Sequence, residues 1–188
     1  MKGVVLTIIT ILISGLMLTS CGGSSSRTST IEIGFVPADS LIVKIDMYAG
    51  KKIETEGMIA HVCGVDGRKM KLMSENREVV NVILHDTTRF DRSLTGQRVK
   101  VYGLVIEERL GKQYIVEKEE EKALLCHVDQ RPCRDVNWAN RQIEAGRADS
   151  LSKRDIDRLR QMMKRHGTEY VSVVSIVCES HEVVETNN

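Results

Sequence analysis

The chain has 188 residues, 41% hydrophobic and 28% charged, with 27 basic residues against 26 acidic ones. That balance excludes the long-range attraction on which binders of nucleic acid or anionic surfaces rely. An aromatic content of 4%, with Trp138 the single tryptophan, leaves the core to Val, Ile, Leu and Met, and the length suits one domain or a domain with an appendage.

From the N-terminus, Lys2 is followed by an uncharged, mostly apolar run to Ser20, and Leu18-Thr19-Ser20 leads into Cys21. A basic residue, an apolar stretch and small residues before a cysteine predict a secretory signal over residues 1–20, with a lipidated Cys21 as the first mature residue. The competing reading is an uncleaved anchor helix, since about 20 apolar residues suffice to span a bilayer. Removing residues 1–20 takes away only Lys2 and leaves a net charge of zero. Gly22-Gly23-Ser24-Ser25-Ser26 is a flexible tether, and residues 21–38 form the linker to the first folded element.

Pro37 disfavours helix at Val36. A short helix is expected from Ser40 to Met47, capped by Asp39 or Ser40 and stopped at Gly50. Strands follow. Lys51 to Cys63 alternates, with Ile53, Thr55, Gly57, Ile59 and His61 on one face, and Gly57 suggests a bend or bulge. Gly64 to Gly67 turns the chain into a second strand, Lys69 to Met73, and a third covers Val79 to Leu84. Asp91 to Gly96 is a turn or short helical link. Gln97 to Glu108 is a long fourth strand, and Gln113 to Glu117 is expected to be a fifth. Five strands in this order fit an OB-like small barrel over residues 39–122, a mainly β, α+β architecture; a sandwich fragment is the alternative. Closure would remove exposed strand edges, which favours the barrel.

Residues 123–188 read as a helix-helix-strand appendage. Asp135 to Glu144 carries Val136, Trp138 (or Ala139) and Ile143 at helical spacing. A second helix is capped by Ser152, buries Ile156, Leu159 and Met163, and ends at Gly167 after Lys164, Arg165 and His166. Tyr170 to Cys178 is a β-branched run best placed in a strand.

Four cysteines remain beside Cys21: Cys63, Cys126, Cys133 and Cys178. In an oxidising compartment they could form two disulfides in any of three connectivities, stay as buried thiols, or bind metal. His61 and Cys63 are two apart on a strand and share a face. With Met70, or with Cys126, His127 and Cys133, they could ligate zinc, or Cu(I) if the thioether takes part. The plainer reading needs no cofactor, with Cys63 bridged or buried and His61 hydrogen-bonded beside it. No Gly-x-Ser-x-Gly elbow, His-Glu-x-x-His or phosphate loop is present, so no catalytic residue is assigned. Glu54 and Glu56 are expected to face solvent. Lys69, Lys71 and Asn81 on the second and third strands come without aromatic residues, so no nucleic acid is expected; an oligosaccharide on that face is a third reading.

His61-Val62-Cys63, then Gly67, Lys69 and Met70, followed by Met163-Lys164-Arg165-His166-Gly167, Glu169-Tyr170 and a strand, resemble a family of bacterial OB-fold lipoproteins. The likeness runs from Leu41 onward. This chain has Val65-Asp66-Gly67 where members commonly have His-Gly-Gly, so a second ligand-like histidine is missing. Resemblance to bacterial lipoproteins implies diacylglycerol on the Cys21 sulfur and an acyl chain such as palmitate on its amine, enough for stable anchoring. It also implies a place in the cell envelope, at the outer membrane facing the periplasm, given Gly22 after the cysteine. The expectation is a non-enzymatic binding or accessory protein whose partner is an envelope protein or a small ligand. The alternative is a metal-binding or thiol-redox protein using His61 and Cys63.

Overall fold

The computed structural model describes residues 31–184. The expected signal segment 1–20, the lipidation site Cys21 and the tether as far as residue 30 lie outside the described residues. The element order is β1 (Glu32–Phe35), α1 (Ala38–Val43), α2 (Ile45–Tyr48), β2 (Lys52–Val62), β3 (Lys69–Met73), β4 (Val79–Ile83), β5 (Arg98–Gly111), α3 (Lys112–Glu120), α4 (Val136–Glu144), α5 (Ala148–His166) and β6 (Tyr170–Val183), with a 3-10 turn at Arg92–Leu94 before β5.

The strands form a closed five-stranded mixed barrel. β2 pairs with β3, β3 with β4, β4 with β6, β6 with β5, and β5 returns to β2. All pairs are antiparallel except β4 with β6, which is parallel. β1 is an extra strand, parallel to β2 and outside the ring. The alternation along β2 and β5 explains the barrel interior. Ile53, Thr55 and Ile59 from β2 and Val99, Val101 and Val105 from β5 are all fully buried. Leu72, Val80, Val82 and Ile176 complete the same core, and Leu41 of α1 packs into it.

The β-branched strand after α5 decides the topology. Gln113 to Glu117, expected as the fifth strand, is helical as part of α3. Two physical reasons account for this. The short apolar pair Ile115-Val116 runs into the charged run 117–122, which prefers helix to strand. In addition, both edges of β5 are already taken, by β2 and β6, leaving no ladder to join. The barrel is closed instead by β6, and the stretch from Lys112 to Glu169 is an insertion between its last two strands.

β5 and β6 are each 14 residues long and pair from Val99↔Val183 to Gly111↔Tyr170. That ladder outruns the barrel. Val174, Ile176 and Cys178 of β6 face the barrel core, whereas Val171 and Val173, with Leu110 of β5, face a second core. There Ile115 of α3, Leu125, and Ile156, Leu159 and Met163 of α5 meet them, so the expected stripe of α5 is buried. α5 ends at Gly167 in the left-handed conformation, with φ of 62°, after Lys164, Arg165 and His166. It starts earlier than expected, at Ala148. Ser152 is therefore a buried residue within the helix and not its cap. The Asp135 carboxylate does cap α4, accepting from the Trp138 N–H at 2.8 Å. Val136 and Ile143 of α4 are exposed. Among the described residues, no helix is long and apolar enough to cross a membrane.

Gly103 lies where the β5–β6 register shifts, between Tyr102 and Gly103. A Cβ there would collide with the Val177 carbonyl and lie 2.8 Å from the Ile176 methyl. Gly103→Ala should therefore lower stability in urea unfolding by about 1–3 kcal/mol. Gly111→Ala, where nothing lies within 4 Å, should leave it unchanged or slightly raised.

Candidate functional site

The functional side chains gather where the insertion meets the barrel. Near its end β2 shifts register, between Ile59 and His61. The shift corrects the face expected for His61. Val62 now points into the barrel core, and His61 and Cys63 lie on its outer side. Met70 pairs with Val62 and is fully buried in the barrel core, so the barrel wall separates it from His61 and Cys63. It is no partner for them.

Outside that wall sits the loop 124–133. It folds back on itself, with the Cys126 N–H donating to the Arg131 carbonyl at 2.7 Å and the Cys133 N–H to the Leu124 carbonyl at 2.8 Å. The left-handed Gln130, with φ of 59°, completes the turn, its N–H donating to the Cys126 carbonyl at 2.8 Å. Two contacts pin the loop from the insertion side. The Tyr114 hydroxyl donates to the Gln130 carbonyl at 2.7 Å and the Arg158 guanidinium to Gln130 Oε1 at 2.9 Å, with Arg158 itself held by the buried Asp155 carboxylate at 3.2 Å. Burial pushes the Tyr114 hydroxyl up to about 12, so it stays a donor.

From the barrel side the loop receives Lys69. This β3 side chain is only 3% exposed and meets the Asp129 carboxylate at 2.8 Å, with Asp66 at 3.9 Å. Although burial lowers it, Asp129 raises the Lys69 pKa above the ordinary value, a net rise. Lys69 is thus enclosed by the chain's own loop and offers no cation to a basic groove. Asn81 is buried as well and donates to the Val174 carbonyl at 3.1 Å. Glu54 and Glu56 pair across to Lys100 and Arg98 of β5 at 3.6 and 3.1 Å, on the outside of the barrel.

Two pairs of residues distant in sequence come together here. The His61 and His127 rings meet edge to face with centroids 4.7 Å apart. Cys63 and Cys126 are buried thiols packed together in a small cluster with Val128. The neighbouring thiol, with the Asp66 and Val65 N–H groups, holds Cys63 below the ordinary thiol range, and the same neighbour together with burial pushes Cys126 up. Cys133 is a half-buried thiol raised by burial, on the wall of a cleft that also includes Lys69 and Asp129. Cys178 stands apart in the barrel core, its thiol donating to the Ser180 carbonyl at 3.3 Å and pushed up to about 11 by burial. All four are thiols in this structure.

The donor set fits a metal poorly. Among the described residues, no three or more His, Cys, Asp and Glu side chains are arranged to hold an ion. His61 Nε2 is buried without a hydrogen-bond partner, which favours a ligand. The surroundings oppose a dication, however. After burial, the largest influence holding both imidazoles below their usual range is the positive charge of Lys71.

At the other end of the barrel is an open cleft of about 960 Å³ between α1, β2 and the start of β5. Exposed Phe35, Met58 and Val183 line it. Arg98 stands among them, held by Glu56 at 3.1 Å and Glu75 at 3.8 Å. Ser74 and Asn76 donate to Asp39 and tie the α1 wall to the β3–β4 turn. Sequence patterning missed this cleft, because its lining comes from five separate segments.

Comparison with known protein families, with curated proteins and with solved structures finds no match to this chain.

Two outcomes follow from the site. Asp129→Ala leaves Lys69 enclosed with only Asp66 near it, and should cost about 3 kcal/mol in chemical unfolding, whereas Lys69→Met should cost less. The imidazoles set a pH dependence. Their pKa values are lower in the folded protein than the unfolded 6.5, so the unfolded chain binds protons more readily. The resulting stability is complete above pH 6.5 and declines as pH falls below it. The urea midpoint should drop between about pH 7 and about pH 5.5, and the His61→Gln/His127→Gln double variant should show a flatter profile.

Proposed function

We propose that this chain is a lipid-anchored cell-envelope protein, tethered through Cys21 at the outer membrane, whose OB-like barrel is a non-enzymatic binding module. The observation that carries the binding reading is the disposition of the two barrel surfaces. OB barrels generally bind ligands on the face of their second and third strands, between the first-to-second and fourth-to-fifth strand loops. Here those strands are β3 and β4, and the polar side chains Lys69 and Asn81 on that face are taken up internally. Lys69 and Asn81 are buried, and the insertion between β5 and β6 lies over the β2–β3 loop. An oligosaccharide bound across β3 and β4 therefore has little support.

The cleft at the opposite end is an open concave surface. Its exposed apolar side chains, interleaved with carboxylates and arginines, suit a segment of another envelope protein. Phe35 is the one aromatic residue in its lining, too few for a sugar- or base-stacking platform.

Radiolabelled palmitate should enter the full chain and be lost from Cys21→Ser, with that variant moving from the membrane to the soluble fraction. Label retained by Cys21→Ser would refute the anchor. For the binding half, a photo-crosslinking residue at Met58 should trap one discrete envelope partner, and Phe35→Glu should abolish the adduct. Equal trapping from exposed Val136 would refute the cleft as the binding surface.

A further inference from the structure

We propose that Cys63 and Cys126 are a covalent site: they join in a disulfide that fastens the insertion to the β2–β3 turn of the barrel. Geometry carries the pairing. Of the three connectivities open to four cysteines, only one pairs Cys63 with Cys126, the two thiols that pack in one buried cluster. Cys178 is enclosed in the barrel core, in a different cluster, and the half-buried Cys133 belongs to neither cluster and lines a cleft. The neighbouring contacts bring the same two segments together independently. His61 meets His127, and Lys69 meets Asp129.

The chemistry is thiol–disulfide exchange with an oxidant that is itself a disulfide. The Cys63 thiolate attacks one oxidant sulfur and releases the other as a thiolate, leaving a mixed disulfide. Cys126 loses its proton and displaces the second oxidant thiolate, closing the Cys63–Cys126 bond. Two protons and two electrons leave the pair, and the oxidant becomes two thiols. Both residues are buried, 3% and 7% exposed, so the bond forms as the chain folds and not by attack on the finished protein. Once formed, it keeps Lys69 enclosed against Asp129.

The test refolds the full chain with oxidised and reduced glutathione, blocks free thiols with N-ethylmaleimide in denaturant, and maps peptides by mass spectrometry. The expected result is one linked species joining the Cys63 peptide to the peptide carrying Cys126, with Cys133 and Cys178 alkylated. Because Cys126 and Cys133 fall in one tryptic peptide, Cys133→Ser should keep the link and Cys126→Ser should lose it. Reduction should raise the rate of proteolysis within loop 124–133 several-fold. Alkylation of both Cys63 and Cys126 after refolding overturns the proposal. So does a Cys63–Cys133 link in the unsubstituted chain, or one equivalent of zinc that Cys63→Ser releases. Neither palmitate labelling nor crosslinking at Met58 depends on this bond, so the binding reading stands or falls separately.

Discussion

The pairing of β5 with β6 is the constraint on which the rest of this molecule depends. One continuous ladder, from Val99↔Val183 to Gly111↔Tyr170, closes the barrel at one end and floors the helical insertion at the other. Its side chains change allegiance along its length, from Val105 and Ile176 in the barrel to Leu110 and Val171 beneath α5. Because β-sheet pairing is cooperative along the strands, the two cores are not independent. Loss of the Gly103 close approach would disturb both, since the ladder is shared.

The insertion then turns a general-purpose barrel into a particular one. Its loop 124–133 is held from below by Tyr114 and Arg158 and from above by Lys69. A buried ion pair such as Lys69–Asp129 is a poor source of net stability, because desolvation offsets most of its attraction. What it does supply is register. Only one placement of the loop gives the buried ammonium its carboxylate, and that placement also sets His127 on His61 and Cys126 on Cys63. The consequence is a β3 lysine enclosed by the chain's own loop, with an open cleft at the opposite end of the barrel.

Much of the fold was legible from periodicity. The alternation in β2 and β5, the stripe on α5 and its Gly167 stop all follow from local side-chain patterns that repeat in the structure. The fifth strand was not legible at Gln113 to Glu117, because a short β-branched stretch is compatible with either helix or strand until its hydrogen-bonding partners are known. The face of His61 was equally hidden. One shifted residue reverses every side chain beyond it, and nothing in His61-Val62-Cys63 announces the shift. Hence Met70 seemed a companion of His61 and proved to be on the other side of the barrel wall.

The sequence by itself determined most of the strands and helices through their one-sided burial, and it marked His61, Cys63, Met70, Cys126, His127 and Cys133 as the residues with chemistry to offer. Whether they meet was decided only by the tertiary structure. Residues on β2 and on a loop some sixty positions later are brought together by chain closure through β6 and by the Lys69–Asp129 contact. Both are long-range interactions, whose partners are selected by the packing of the whole chain and leave no mark on the local pattern of either segment.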